Sequence, residues 1–377
     1  PFQLLVLALA QDSYKGKMGI GKIQSGSIAR RQNVVTLTKD GGQVPGKISD
    51  LAVFSGLERT DVETAEAGEI VALSGLEEVN IGDTIADPTN PVALPRVTID
   101  EPTVQMTFSV NNSPFAGRDG KYLTSRHLRE RLFKELETNV SLRVQETDSA
   151  DRFLVAGRGE LHLGVLIEQM RREGYELQIS QPEVILHREG DTVTEPFEEL
   201  TIQVPSEYQG PVIEEIGKRR GELRHMKLVH SEGTASEMHI EYHIPTRGII
   251  GLKNILLAKT RGTIILHHVF SGYAPADEKA LLVAPHGSLV AFEAGTSTAY
   301  ALFMTQERGE LFIGASVEVY QGMVVGQNSR DEDLDVNVCK QKQLSNMRAA
   351  GTDEALVLTP PREMSLEFAM EYIGQDE

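Results

Sequence analysis

Basic residues in this 377-residue chain gather in stretches that hold few acids, although the chain as a whole carries a formal net charge of −18. Lys218, Arg219 and Arg220 lie in a ten-residue stretch whose single acid is Glu222. Cations clustered in this way can contact nucleic-acid phosphates, or they can neutralise the carbonyl groups at the end of a helix. Because binding depends on patches within about 8–10 Å, the overall acidity does not exclude RNA binding.

A second basic stretch, residues 339–351, is polar, contains no acid and has little hydrophobic periodicity. It therefore has no obvious role in a core, and an exposed loop of this composition can contact phosphate, ribose and base edges. The candidate RNA-binding residues of the whole chain are Lys218, Arg219, Arg220, Arg330, Lys340, Lys342, Asn346 and Arg348.

One predicted strand could supply metal ligands, because His239, Glu241 and His243 alternate along the chain and would point to the same side. Imidazole and carboxylate groups in that arrangement can bind a divalent metal. The residues between and after them are apolar, which is typical of a sheet with one buried and one solvated face: Ile240, Tyr242 and Ile244. A solvated face is the preferred interpretation, and metal binding is the alternative.

Neither a nucleotide site nor a calcium site is predicted. Residues 16–22 match the first seven positions of the phosphate-binding motif G-x-x-x-x-G-K, but Ile23 stands where a hydroxyl group for Mg²⁺ is needed. The acids at 331–335 resemble the start of a calcium loop, but Val336 replaces its glycine and Lys342 its bidentate glutamate. Since no Ser, His and Asp constellation is evident either, we expect this chain to have no catalytic residues, cofactor or metal.

The elements that must position these residues fall into four predicted modules. Residues 1–97 show short strand-like runs separated by turns, and they predict a small β-barrel that ends at a proline-rich connection. Residues 98–187 and 195–275 each show the order β-α-β-β-α-β, which predicts two ferredoxin-like modules in tandem. Residues 276–377 predict a mixed, mainly-β C-terminal domain. The predicted fold class is therefore multidomain, α+β and β.

Several predictions concern single elements. Residues 44–54 and residues 298–305 are each predicted as one strand. Thr124 or Ser125 is expected to cap a first helix. A second helix is expected to bury four side chains at helical spacing: Leu163, Leu166, Ile167 and Met170. Residues 365–373 fit both a strand and a helix, and the capping residues on either side favour the helix.

Motifs along the chain resemble the domains of translation factors. AGEIVA at 67–72 and NIGDT at 80–84 are similar to the second domain of elongation factors Tu and G. GRGELHL at 157–163 resembles the third domain of elongation factor G, and EYQG at 207–210 with KRRG at 218–221 resembles its fifth. GQNSR at 326–330 and LSNMRAAGTDEA at 344–355 resemble the C-terminal domain peculiar to the BipA/TypA family of ribosome-associated GTPases.

The resemblance implies binding to the 70S ribosome, to ribosomal RNA and to the A-site tRNA. It implies that the intact protein takes part in translation control, 50S subunit assembly and stress adaptation. The family's GTPase domain has no counterpart in these residues, so GTP and Mg²⁺ are expected only for a missing N-terminal domain. We therefore expect a cytoplasmic monomer that binds without catalysis and does not enter a membrane. The alternatives are a protein-interaction scaffold and a metal-binding protein that uses His239, Glu241 and His243.

Overall fold

The computed structural model describes residues 1–12, 14–38, 41–56, 58–76, 79–96, 101–190, 192–229, 236–277, 287–341 and 357–373. The chain divides into two compact units. The first comprises residues 1–102 and 124–158, and the second comprises residues 103–123 and 159–377. Within the ranges given above, no helix is both long and apolar enough to cross a membrane.

Short strands make up the described part of residues 1–96. They are β1 (Gln3–Asp12), β2 (Gly16–Ser25), β3 (Ser27–Ala29), β4 (Asn33–Leu37), β5 (Gln43–Lys47), β6 (Leu51–Ser55), β7 (Glu58–Asp61), β8 (Thr64–Glu66), β9 (Ile70–Ser74) and β10 (Thr84–Ala86). Eight of them form one sheet in the order β5-β4-β10-β1-β2-β9-β6-β7, and β3 pairs with β8. Since this order is open, no closed barrel is found among the described strands.

The strand predicted over residues 44–54 is wrong in extent, because the chain turns between β5 and β6. β5 pairs with β4, whereas β6 pairs with β9 in another part of the same sheet. Ile48 in the turn has no exposed surface, and its N–H donates to the Gln32 carbonyl at 3.0 Å. Because the turn itself carries the core residue Ile48, the sequence alone suggests a single strand over these residues.

The next elements span both units. They are β11 (Val104–Val110), α1 (Ser125–Glu135), β12 (Arg143–Glu146), β13 (Arg152–Gly157), α2 (Glu160–Glu173), β14 (Leu177–Ile179), β15 (Glu183–Val184) and β16 (His187–Glu189). In the first unit, Thr124 caps α1 as predicted and β12 pairs with β13. In the second unit, β11 pairs with β14 and β15. The predicted apolar stripe of α2 is confirmed, since all four of its side chains are buried.

The described residues between 192 and 277 form a sheet and three α-helices. The elements are β17 (Thr192–Pro205), α3 (Gln209–Lys218), β18 (Glu222–Val229), β19 (Glu237–Pro245), α4 (Thr246–Ile249), α5 (Leu252–Lys259) and β20 (Ile265–Pro275). The strands are antiparallel in the order β20-β17-β19-β18, and β16 pairs with one end of β17. Val212 and Ile216 of α3 and Leu252 and Leu256 of α5 pack against this sheet, and none of the four is exposed.

The C-terminal elements are β21 (Ser288–Ala291), β22 (Gly295–Thr296), α6 (Ala299–Thr305), β23 (Gly309–Leu311), β24 (Glu318–Val319), β25 (Val324–Asn328), β26 (Leu334–Val336) and α7 (Leu366–Tyr372). One sheet has the order β23-β25-β21-β26, with β21 and β26 parallel. The strand predicted over 298–305 is wrong, because these residues form α6. The predicted C-terminal helix is confirmed as α7 with Ser365 as its N-cap, while Gly374 lies outside the described residues.

Candidate nucleic-acid interface

Arg219 follows α3 directly and lies inside the protein, with 3% of its side chain exposed. Its Nη1 donates to the carbonyl oxygens of Gly248 at 3.0 Å and Ile250 at 2.8 Å. Its Nε lies 3.3 Å from the Glu215 carboxylate, one helical turn earlier. Arg219 thus ties α3 to the chain before α5. The burial of Arg219 and these three bonds argue against the RNA contact predicted for it, which stays a prediction.

Lys218 and Arg220, on either side of Arg219, are partly exposed, but each has an acidic neighbour. Lys218 Nζ lies 2.7 Å from the Glu214 carboxylate, and this hydrogen bond raises the pKa of Lys218. Arg220 adopts a left-handed backbone with φ of 63° and forms an ion pair with Asp277. A cluster that holds one acid along the chain is therefore partly neutralised by acids that the fold brings to it.

Other cations of this sheet-and-helix region are paired in the same way. Lys259 Nζ lies 2.6 Å from the Glu215 carboxylate, which therefore lies between Lys259 and Arg219. Burial opposes ionisation of Glu215, but the bonds from Lys259 and Arg219 outweigh it and lower the pKa of Glu215. Arg247 lies 2.8 Å from the buried Glu195 carboxylate. The surface here is thus less basic than the sequence suggests.

The face of β19 that carries His239, Glu241 and His243 is the more exposed one, as predicted, because the alternate residues of the strand are buried. His243 Nδ1 lies 3.0 Å from the Glu199 carboxylate of β17, and its ring stacks on Phe197 with 4.8 Å between ring centroids. In the part of the chain that the structure describes, no group of three His, Cys, Asp or Glu side chains could hold a metal ion. The described geometry therefore gives no support to the alternative metal site.

The phosphate-loop sequence lies within a strand, and the calcium-loop sequence leads into one. Residues 16–22 belong to β2, which pairs with β1 on one side and β9 on the other. A phosphate-binding loop needs free backbone N–H groups before a helix, so these residues do not fit a nucleotide. Asp335 lies within β26, in register with Val290 of β21. The acids at 331–335 are therefore not arranged as a calcium loop.

Helix α6 fixes the backbone at Lys340, where the last basic stretch begins. Thr298 is the N-cap of α6: its hydroxyl oxygen accepts from the Ala301 N–H at 3.1 Å and its O–H donates to the Lys340 carbonyl at 2.6 Å. Just before Lys340, Asn337 accepts from the Cys339 N–H at 3.0 Å. The Lys340 side chain itself is exposed. Hydrogen bonds thus hold the backbone at Lys340 while its charged side chain faces solvent.

The other end of α6 holds the chain at residues 357–359. Gln306, the C-cap of α6, donates to the Val357 carbonyl at 3.3 Å and accepts from the Thr359 N–H at 3.0 Å. A seven-residue helix is about 10 Å long, so residues 340 and 357 are attached close together. The sequence-based predictions did not include Thr298 and Gln306. Thr298 could have been found as an N-cap, because Thr is among the preferred residues at that position.

Arg330 is exposed at the turn between β25 and β26. Its N–H donates to Asn328 Oδ1 at 3.3 Å, and its carbonyl accepts from the Gly287 N–H at 3.1 Å. Lys342, Asn346 and Arg348 lie outside the described residues, so that their role stays a prediction. The structure therefore groups Lys218, Arg219 and Arg220 at the end of α3. Lys340 lies elsewhere, where its carbonyl is bound by Thr298 at the N-terminus of α6.

Comparison with known families identifies three segments of the chain. Residues 1–87 match elongation factor G domain 2, and residues 192–282 match the elongation factor G C-terminus. Residues 286–377 match the TypA/BipA C-terminal domain. The last of these contains α6, Arg330 and Lys340, together with Lys342, Asn346 and Arg348.

Known relatives match the chain over its whole length. It is 46% identical to the large ribosomal subunit assembly factor BipA of Synechocystis sp. (strain PCC 6803), of which it covers 62%. It is 45% identical to the proteins of the same name from Salmonella typhimurium and Escherichia coli K12, of which it covers 61%. The chain thus spans about three fifths of the length of these relatives. The chain is therefore similar throughout to a portion of these longer BipA proteins, and its residues 286–377 match the TypA/BipA C-terminal domain.

Proposed function

We propose that this chain is the ribosome-binding portion of a BipA/TypA translational GTPase that acts in assembly of the large ribosomal subunit. One observation carries the proposal: the whole chain is 45–46% identical to relatives named large ribosomal subunit assembly factor BipA. The match of residues 286–377 to the family's own C-terminal domain supports it. The two elongation factor G matches favour binding at the ribosomal site that translation factors use.

The proposed organisation has four modules, at residues 1–97, 98–187, 195–275 and 276–377. The sheet order β20-β17-β19-β18, with α3 and α5 on one face, supports a ferredoxin-like fold for the third. GTP and Mg²⁺ would bind to a separate GTPase domain of the longer protein, because the phosphate-loop sequence of this chain is a strand. The protein would act as a monomer in the cytoplasm, in translation control, subunit assembly and stress adaptation.

The proposed RNA contacts centre on the stretch that begins at Lys340. The capping residues of α6 bind the backbone at Lys340 and at Val357, on either side of this stretch. The Lys340 side chain is exposed and can contact a phosphate. Fixing the backbone at Lys340 reduces the entropy lost when this side chain binds. The full proposed set for ribosomal RNA and A-site tRNA is Lys218, Arg220, Arg330, Lys340, Lys342, Asn346 and Arg348. Lys218 and Arg220 would contribute less, because each is paired with a carboxylate.

The test removes three cations of the stretch together, as Lys340→Ala, Lys342→Ala and Arg348→Ala. Cosedimentation with 50S subunits and with 70S ribosomes at several salt concentrations would measure association. We expect weaker binding and a smaller salt dependence, with the slope of log K against log salt reduced by about 0.7–0.9 for each phosphate that the variant no longer neutralises.

A matched control removes three exposed cations elsewhere, each of which is paired with a carboxylate: Arg126→Ala, Arg143→Ala and Arg172→Ala. This variant should bind ribosomes nearly as well as the parent. Equal binding by parent and test variant would contradict RNA binding by the 340 stretch. Ribosome binding that survives removal of all the basic clusters would favour the protein-interaction scaffold instead.

A further inference from the structure

Helix α7 contacts three other parts of the second unit. Met370 packs on α2 at Gly164, where a Cβ would lie 3.5 Å from the Met370 sulfur. Tyr372 joins the C-terminal sheet, with its hydroxyl oxygen 2.8 Å from Ser288 Oγ. Glu371 accepts from Asn254 Nδ2 of α5 at 2.7 Å. The docking of this one short helix therefore holds the C-terminal sheet, α2 and α5 together.

Two carboxyl groups meet at the turn that precedes α5. Glu160, the first residue of α2, accepts a hydrogen bond from the Gly251 backbone N–H. Gly251 has a left-handed φ of 69°, and a Cβ there would lie 3.6 Å from Glu371 Cγ. The same glycine therefore contacts both acids. Their hydrogen-bond donors, the Gly251 N–H and the Asn254 amide, are both uncharged.

Other charged groups face the junction from each element packed around it. They are Glu198 of β17, His268 of β20, Lys253 of α5, Arg219 after α3, and Arg362 and Glu367 before and on α7. Two of the nearest cations already have partners. His268 is hydrogen-bonded to Glu198, and Arg219 donates to Gly248, Ile250 and Glu215. The partly buried acids Glu160 and Glu371 therefore receive little compensation from these cations.

Their protonation follows from this environment. Burial, and then the nearby Glu371 charge, raise the pKa of Glu160 to about 7. Burial likewise raises the pKa of Glu371, against the opposing effect of the Asn254 hydrogen bond. Near neutral pH, a small change in pH or in the surroundings of the junction therefore changes whether Glu160 carries a proton.

We propose that α7 is a proton-dependent clasp, which stays docked on α2 and α5 while Glu160 or Glu371 carries a proton and loosens when both are ionised. The proton leaves to solvent, and repulsion between two partly buried carboxylates then opposes docking. The orientation of the C-terminal sheet relative to α2 would therefore respond to pH between about 6 and 8. This inference is independent of the proposed RNA contacts.

Amide hydrogen exchange in the unaltered chain tests the clasp. Protection of the peptide over residues 366–373 is measured at pH 6 and pH 8 and corrected for the intrinsic exchange rates. We expect at least a tenfold loss of protection at pH 8, since one pKa unit corresponds to a factor of ten. A peptide from the core strand β17 should keep its protection at both pH values, which separates loosening of α7 from global unfolding.

Isosteric variants identify the groups responsible. Glu160→Gln, and separately Glu371→Gln, should reduce the ratio of protection between pH 6 and pH 8 to within about threefold. Glu363→Gln removes the same charge at an exposed position just before α7 and should leave the ratio as in the parent. The clasp is excluded if the unaltered chain shows no difference between pH 6 and pH 8. It is equally excluded if the difference persists in both junction variants.

Discussion

Two basic regions of the second unit differ in what their cations contact. Around Arg219, the cations are bound to carboxylates and backbone carbonyls within the protein. Around Lys340, α6 binds the backbone while the charged end of the side chain is left in solvent. Charges of the first kind hold elements together, and charges of the second kind are available to a ligand. The two regions should therefore respond oppositely in measurements of stability and of binding.

The largest effect is expected for Arg219→Ala. Its removal leaves Glu215 buried beside Lys259 alone and takes the donors from the Gly248 and Ile250 carbonyls. We expect a loss of about 3–5 kcal/mol in the free energy of unfolding, as for other broken buried pairs. Urea unfolding at pH 7 measures it, with Lys218→Ala as the exposed neighbouring control. A loss below about 1 kcal/mol would contradict the structural role of Arg219 and would group it with Lys340, whose charge is available to a ligand.

A second effect concerns the pH dependence of stability. Glu160 has an ordinary pKa of 4.5 and a pKa of about 7 in the folded protein. Because the folded state binds this proton more tightly, the stability it contributes is complete below about pH 4.5 and is lost as the pH rises through 7. Glu160→Gln should remove about 2–3 kcal/mol of the difference in unfolding free energy between pH 5 and pH 8. Equal pH dependence in parent and variant would contradict this.

Two glycines of the α3 region sharpen the comparison by packing alone. A Cβ at Gly221 would overlap Ile216 Cγ2 and press on Tyr242, whereas a Cβ at Gly217 meets nothing within 4 Å. Gly221→Ala should therefore cost about 1–3 kcal/mol of unfolding free energy through overpacking. Gly217→Ala should add about 0.5–1 kcal/mol, because alanine is the better helix former. Thermal unfolding of both variants tests whether the first lowers and the second raises the unfolding temperature. Similar changes in the two variants would refute the packing argument.

The smallest change in stability is expected for Lys340→Ala. Since its side chain is exposed, the unfolding free energy should change by less than about 0.5 kcal/mol. Ribosome association should nevertheless weaken, with the salt slope smaller by about 0.7–0.9 if Lys340 neutralises one phosphate. Cosedimentation and urea unfolding of the same preparation test both parts. If Lys340→Ala were destabilised but bound ribosomes as before, Lys340 would have the stabilising role assigned to Arg219 and not a role in binding.

Features set by neighbouring residues were predictable from the sequence. The apolar stripe of α2, the alternation along β19 and the capped helix α7 all depend on spacings within one element, and all three are confirmed. Residues 298–305 were not predictable in this way, because a short and almost wholly apolar run fits a strand and a helix equally. Packing of Ala301 and Leu302 on one side of α6 decides between them.

The candidate site was less predictable than the fold. A cluster of cations along the chain does not reveal which carboxylates other elements bring to it, as Asp277 shows for Arg220. Nor does the sequence reveal that Arg219 is enclosed, because that depends on the carbonyls of Gly248 and Ile250 some thirty residues later. The composition of the 339–351 stretch did identify the region whose first described cation, Lys340, is exposed.

The hydrogen bond between α7 and α5 has a consequence for the time at which the second unit can finish folding. Asn254 and Glu371 are hydrogen-bonded although 117 residues separate them in the chain. At a synthesis rate of about 5–20 residues per second, roughly 6–23 s pass between their incorporation. During that interval α2 and α5 have been made, but the helix that packs on them has not. Helix α7 can therefore dock on α2 and α5 only after residue 372 has left the ribosome.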